Sequence, residues 1–208
     1  MTERYPDYDV LAKRDSPSWN DITRRVIDRR LATPGQPRFL TAAEFLTLSA
    51  LADEITPQPA DRDAIPVAAL IDEKLFASRE DGYRGAGMPR QREAWRRGLA
   101  ALNAEAVALF AVPFHQLNGA ARQLLIARLA AGELRDAAWG SMPSQRFFTA
   151  RVIDDIVQAY WSHPTSWNEI GWGGPASPRG YVRMGFDERD PWEAKQRKSD
   201  APRPRNAA

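Results

Sequence analysis

Two histidines, His115 and His163, and a complete lack of cysteine bound what this 208-residue chain could catalyse. Without Cys there is no thiolate nucleophile, disulfide, iron–sulfur cluster or thiolate metal site. A hydrolase- or lyase-like constellation needs an imidazole next to a second reacting group with an orienting carboxylate, and His163, Glu169 and Asp155 are the residues that could supply one. His163 with Glu169 also offers part of an imidazole–carboxylate metal site, with no third ligand to name. The structural alternative is simpler. His163 precedes Pro164 at a helix exit, where a side chain that meets the last carbonyls has an ordinary role, and that reading is preferred. Gly171-Trp172-Gly173-Gly174 does not read as a phosphate loop, because Trp172 interrupts the glycines, Pro175 follows, and no strand-to-helix context surrounds them. The usual Rossmann route to a flavin or nicotinamide is therefore absent.

The elements that would position these groups are helical. Residues 17–31 read as a short helix with Ser16 as N-cap, stopped by the Pro and Gly of 34–37. Thr41 and Glu44 have capping-box spacing, and Phe45, Leu48, Leu51, Ala52 and Ile55 recur at helical period before Pro57. Pro66 suits a first helical position ahead of Val67, Leu70, Ile71 and Leu75. A longer helix carries Trp95, Leu99, Leu102, Ala106, Leu109 and Phe110, and another runs from an Asn118 cap to Gly132. The last begins at Ser144, with Phe147, Phe148, Val152, Ile156, Ala159 and Tyr160 on one face. About six helical segments with no period-two alternation predict an all-α bundle with irregular ends. On that last helix Asp155 is read as an edge residue paired with Arg151. The alternative is a half-buried carboxylate that anchors the segment after Tyr160.

Residues 162–184 are denser in Gly, Pro and aromatic residues than any neighbour, and the expectation is an irregular loop rather than a helix or strand. Its Trp167, Ile170, Trp172 and Tyr181 are too apolar to be left in water. Either they lid the bundle or they meet another protein, and Trp, Tyr and Arg are the types that dominate interface energetics. Trp192 extends this character. The chain thus divides into a polar N-terminal extension with a short helix (1–37), a helical domain (38–161), an irregular partner-binding arm (162–194) and a basic tail without fixed structure (195–208). The balance of 29 Lys+Arg against 27 Asp+Glu, with no recognised module, excludes a nucleic-acid binder. No apolar run approaches the roughly 18 residues of a membrane span, and no secretory h-region stands near the start.

Two stretches carry a resemblance. LTAAEFLTLSALADEITP at 40–57 and YWSHPTSWNEIGWGGPASPRGY at 160–181 resemble the opening helix and the signature close of the gluconate 2-dehydrogenase subunit 3 family, the small or gamma subunits of flavin-dependent sugar dehydrogenases. The likeness covers about residues 38 to 190, and the second stretch is the specific one. It implies an all-α, non-catalytic subunit with no cofactor of its own. The FAD and the catalytic base would lie in a large partner of the glucose–methanol–choline type, which oxidises a sugar or sugar acid and passes electrons to a cytochrome or another acceptor. Glycoside C3 oxidation is an alternative to C1 or C2 of a free sugar. The small subunit would support folding, stability and often export of the large one. Partner contact carries over onto His163, Pro164, Trp167, Glu169, Gly171, Trp172, Gly173, Pro175, Arg179, Gly180 and Tyr181. Many members open with a twin-arginine signal, and residues 1–38 do not resemble one. The complex is therefore expected in the cytoplasm, or in the periplasm if the partner carries the signal. The competing readings are a small stand-alone enzyme using His163, Glu169 and Asp155, and a scaffold with no redox partner.

Overall fold

The computed structural model describes residues 4–82, 85–176 and 179–197. Of the tail read from the sequence at 195–208, residues 198–208 lie outside the described residues. The α-helices are α1 (Asp21–Leu31), α2 (Ala42–Ile55), α3 (Val67–Phe76), α4 (Gln91–Phe110), α5 (Gly119–Ala131), α6 (Ser144–Phe147), α7 (Asp154–Ser162) and α8 (Pro164–Ile170). A π-helical turn, Phe148–Ile153, joins α6 to α7 without a break in the helical backbone. Among the described residues there is no strand, so the chain is all-α as expected. Every helix read from the sequence is present, and α8 is additional. The chain divides into two compact units, Ala32–Ser162 and a second one built from residues 1–31 with 163–208.

In the 32–162 unit, local chemistry sets where helices start and stop. Thr41 Oγ1 accepts the Glu44 N–H while Glu44 Oε2 accepts the Thr41 N–H, which completes the expected capping box. Asn118 Oδ1 accepts the Ala121 N–H, and Gly132 closes α5 in the left-handed region at φ 72°. Pro66 lies one residue further out than expected, as the flanking residue before Val67. Three successive backbone N–H groups, of Arg38, Phe39 and Leu40, donate to the buried Asp72 carboxylate on α3, which fixes the entry to α2.

The core of this unit runs along α4. Ala94, Trp95, Leu99, Ala101, Leu102 and Ala106 are fully buried there, with Leu48 and Leu51 of α2, Ile71 and Leu75 of α3, and Phe147, Val152 and Ile156 beyond. Each such large side chain contributes about 1.5–3 kcal/mol by leaving water. Phe147 meets Trp95 edge-to-face at 5.4 Å and Trp139 at 5.7 Å, so its ring is clamped between two indoles. Gly98 makes this possible: a Cβ there would lie 2.2 Å from the Phe147 ring. Gly98→Ala gains about 1 kcal/mol in helix propensity, yet it forces the clamped ring to move at a cost of about 1–3 kcal/mol or more. The expected net outcome is destabilisation, read as a lower urea midpoint for this variant than for wild type.

Asp155 departs from its expected place. Its side chain is buried, not at an edge, and none of its hydrogen bonds goes to the segment after Tyr160. Trp95 Nε1 donates to it at 2.7 Å, Gln91 Nε2 to both oxygens at 2.9 Å, and Lys74 Nζ at 3.1 Å, with Arg151 at 3.7 Å. Asp81 bonds the same two cations from the other side. Burial pulls the Lys74 ammonium down and the two acids more than reverse this, so it titrates above the ordinary lysine value. For Asp81, burial raises the value and Lys74 and Arg151 outweigh it, leaving the acid below the ordinary range. A regular wheel already sets Asp155 beside the apolar face; what the sequence does not show is that Lys74 of α3 with Gln91 and Trp95 of α4 supply the bonds that let the carboxylate be buried there. Phe147, Val152, Ile156 and Tyr160 are all buried, so the first step along the face spans five residues and the later ones four.

Candidate partner-binding site

The second unit is made from both ends of the chain, and its core is small. Val10, Trp19, Ile27 and Trp167 are buried together, with Tyr8 and Leu11 packed against them. Residue 9 starts the assembly: Asp9 Oδ1 accepts the Leu11 N–H at 2.9 Å and opens a 3-10 turn, Val10–Lys13. The Val10 N–H donates to Asn168 Oδ1 of α8 at 2.8 Å, which ties the two ends of the sequence to each other. Asn20, not Ser16, caps α1, accepting the Thr23 N–H at 2.9 Å. Arg14 grips Asp28 of α1 with both terminal guanidinium nitrogens, and Arg24 donates to the Arg14 carbonyl at 2.9 Å.

The expectation that residues 162–184 form only an irregular loop is corrected by α8. Pro164 occupies the first position of that helix, and Gly171 ends it in the left-handed region at φ 66°. The same Pro and Gly that read as loop punctuation in fact delimit a helix. His163 is likewise reassigned from the exit of one helix to the N-cap of the next, where Nδ1 accepts the Thr165 N–H at 3.4 Å. A Cβ at Gly171 would press to 2.7 Å on the Tyr5 ring, and one at Gly174 to 2.8 Å on Trp167, so both positions need glycine for space as well as for backbone angle.

The twelve residues expected to touch a partner separate by burial into three groups. His163, Pro164 and Trp167 are buried within the chain, and Trp167, at 1 % exposure, is part of the small core of its own unit. Gly171, Gly173, Pro175, Arg179 and Trp192 are half-buried. Glu169, Trp172, Gly180 and Tyr181 are exposed. Trp172 stands edge-on to Trp167 at 4.7 Å, which leaves its outer face open. Beyond it, Tyr181 donates its hydroxyl to the Gly174 carbonyl at 3.0 Å, Arg183 pairs with Glu193 through two bonds of 2.9 Å, and the Met184 N–H donates to Asp190 Oδ1 at 2.8 Å. These bonds fix a short segment that presents Tyr181, Val182, Met184 and Phe186 outward, with Phe186 100 % exposed. Val182, Met184 and Phe186 were not singled out in the sequence, because single apolar residues among Arg and Asp carry no periodic signal.

Lys13 was also missed. It is 3 % exposed, bonded to Ser18 Oγ at 3.3 Å and placed 5.3 Å from the Trp19 ring centre. Burial pushes its ammonium down to about 8. With Trp172, Arg179, Tyr181, Arg183 and Trp192 it borders a cavity of about 300 Å3.

The enzyme reading gains no support from this geometry. Asp155 belongs to the 32–162 unit and its carboxylate is committed to Trp95, Gln91 and Lys74, while His163 serves as a buried helix cap. Among the described residues no three His, Asp or Glu side chains gather as metal ligands would, and no helix is long and apolar enough to cross a membrane.

Comparison with protein families gives one match, to the family described as gluconate 2-dehydrogenase subunit 3, over residues 42–174. That is more than half of the chain. The chain belongs to this family. The matched span opens with α2 and ends at Gly174, so it takes in α8 and the glycine that rests on Trp167. Comparison with curated proteins and with solved structures gives no match. Family membership makes the chain a subunit of the kind found in a multi-subunit dehydrogenase.

Proposed function

We propose that this chain is the non-catalytic small subunit of a heteromeric FAD-dependent sugar or glycoside dehydrogenase, and that it binds and stabilises a large catalytic flavoprotein of the glucose–methanol–choline type. Membership of the subunit 3 family supports the redox assignment. The observation that carries the contact is the outward run Tyr181, Val182, Met184 and Phe186 beside Trp172, held in place by hydrogen bonds and ion pairs of its own unit. An apolar surface of this kind is costly in water, and a pre-ordered one loses little entropy when a partner covers it. FAD and the catalytic base belong to the partner in this reading, and so do substrate choice and electron delivery to a cytochrome or another acceptor. Assembly takes place in the cytoplasm, and the complex reaches the periplasm where the partner carries the export signal.

A pull-down from the native cells tests this. The tagged chain should retain a large yellow protein with flavin absorption bands, and the contact should weaken at least tenfold when Tyr181 and Phe186 are both replaced by Ser. A colourless eluate with no flavin sinks the reading and favours the scaffold alternative.

A further inference from the structure

The cavity at Lys13 holds an unmatched positive charge. Three cations border it, and two have acids to meet: Arg183 pairs with Glu193, and Arg179 lies 3.8 Å from Asp190 and over the Trp192 ring. Lys13 has only the Ser18 hydroxyl and the Trp19 face, and among the described residues no ion pair reaches it. An ammonium carries three donors, and burying one without a counter-ion costs free energy that a carboxylate would return. Gly173 lies next to the ammonium: a Cβ there would sit in van der Waals contact with Nζ, at 3.4 Å.

We propose that this cavity is a carboxylate socket, filled in the assembled complex by an Asp or Glu side chain of the catalytic subunit. The assignment of occupant rests on the function proposed above. The net excess of one positive charge matches a monoanion, whereas a phosphate dianion would face Asp190 and Glu193 with charge to spare. A volume of about 300 Å3 takes a side chain and its flanking atoms but falls at the lower limit for small-molecule sites. Trp172 and Tyr181, which wall the cavity, also belong to the outward apolar surface, so a partner seated on that surface reaches the socket. A buried charge pair at the centre of an apolar contact fixes register and rejects wrong partners.

The test uses the full chain and two probes of equal shape, phenylacetate and the uncharged phenylacetamide. Phenylacetate should quench tryptophan fluorescence saturably and raise the melting midpoint of the wild-type chain, while the amide does neither. This comparison needs no variant. Lys13→Met, of similar length and without charge, should abolish the phenylacetate response and weaken the flavoprotein complex at least tenfold. Equal responses to acid and amide, or no saturable response to either, overturn the socket. Loss of phenylacetate binding in Lys13→Met with the complex unchanged overturns the assigned occupant and leaves a site for a free acid. Specific phenylacetate binding by a wild-type chain that retains no flavoprotein supports the socket chemistry, sinks the proposed function and overturns the occupant.

Discussion

Asp155→Ala is expected to destabilise the 32–162 unit by about 3–5 kcal/mol, the range for breaking a buried charged network by removal of one partner. The carboxylate is 2 % exposed and accepts from Trp95, Gln91 and Lys74. Its loss leaves the Trp95 indole N–H and the Gln91 amide buried with nothing to donate to, while Lys74 and Arg151 still have Asp81. Asp155→Asn should cost less, because one amide oxygen still accepts from Trp95, although its NH2 then meets the Gln91 NH2. Domains of this size are stable by only about 5–15 kcal/mol, so the alanine variant should show a large fall in urea midpoint at unchanged slope. Wild-type stability for Asp155→Ala would contradict the buried placement.

Trp167→Ala is the second large effect. The ring fills a core of four buried side chains, and truncating a buried Trp costs about 3–5 kcal/mol. So small a core cannot absorb such a cavity, and segments 4–31 and 163–197 should become sensitive to limited proteolysis and fast in amide exchange in the free chain. Trp172→Ala should leave the free chain close to wild type and act on the complex instead. Had Trp167 been a contact residue, as the sequence reading had it, both variants would behave alike. Intact protection of α8 in Trp167→Ala would restore that earlier view.

The two cases show which parts of the structure the sequence states openly. Helices with side-chain caps or glycine ends, such as α2 from Thr41 and α5 from Asn118 to Gly132, are written in a few adjacent residues and are legible there. The burial of Asp155 is not, because the wheel sets it beside the apolar face but cannot show that Lys74, Gln91 and Trp95, from helices 60 to 81 residues away, satisfy its carboxylate there. Helix α8 was hidden by its own delimiters, since Pro164 and Gly171 were counted as signs of a loop. At the candidate site, the sequence marked Trp172, Tyr181 and Trp192 by type alone. It gave no hint that Lys13 shares their cavity, because that proximity depends on residues far apart along the chain coming together. The family resemblance, carried by the two quoted stretches, agrees with the match over residues 42–174.

The bond from Val10 to Asn168, and the joint burial of Trp19 with Trp167, also dictate an order of events during synthesis. The segment around Trp19 cannot finish folding until Trp167 and Asn168 have emerged. At roughly 5–20 residues per second, the indole of Trp19 waits on the order of ten seconds or more for its cover. During that interval α2 to α7 can gather their own core, whose buried cluster is drawn from residues 40–160. A nascent chain of this design leaves the indole of Trp19 uncovered while residues 32–162 are made, and completes the surface around Lys13 and Trp172 only after them.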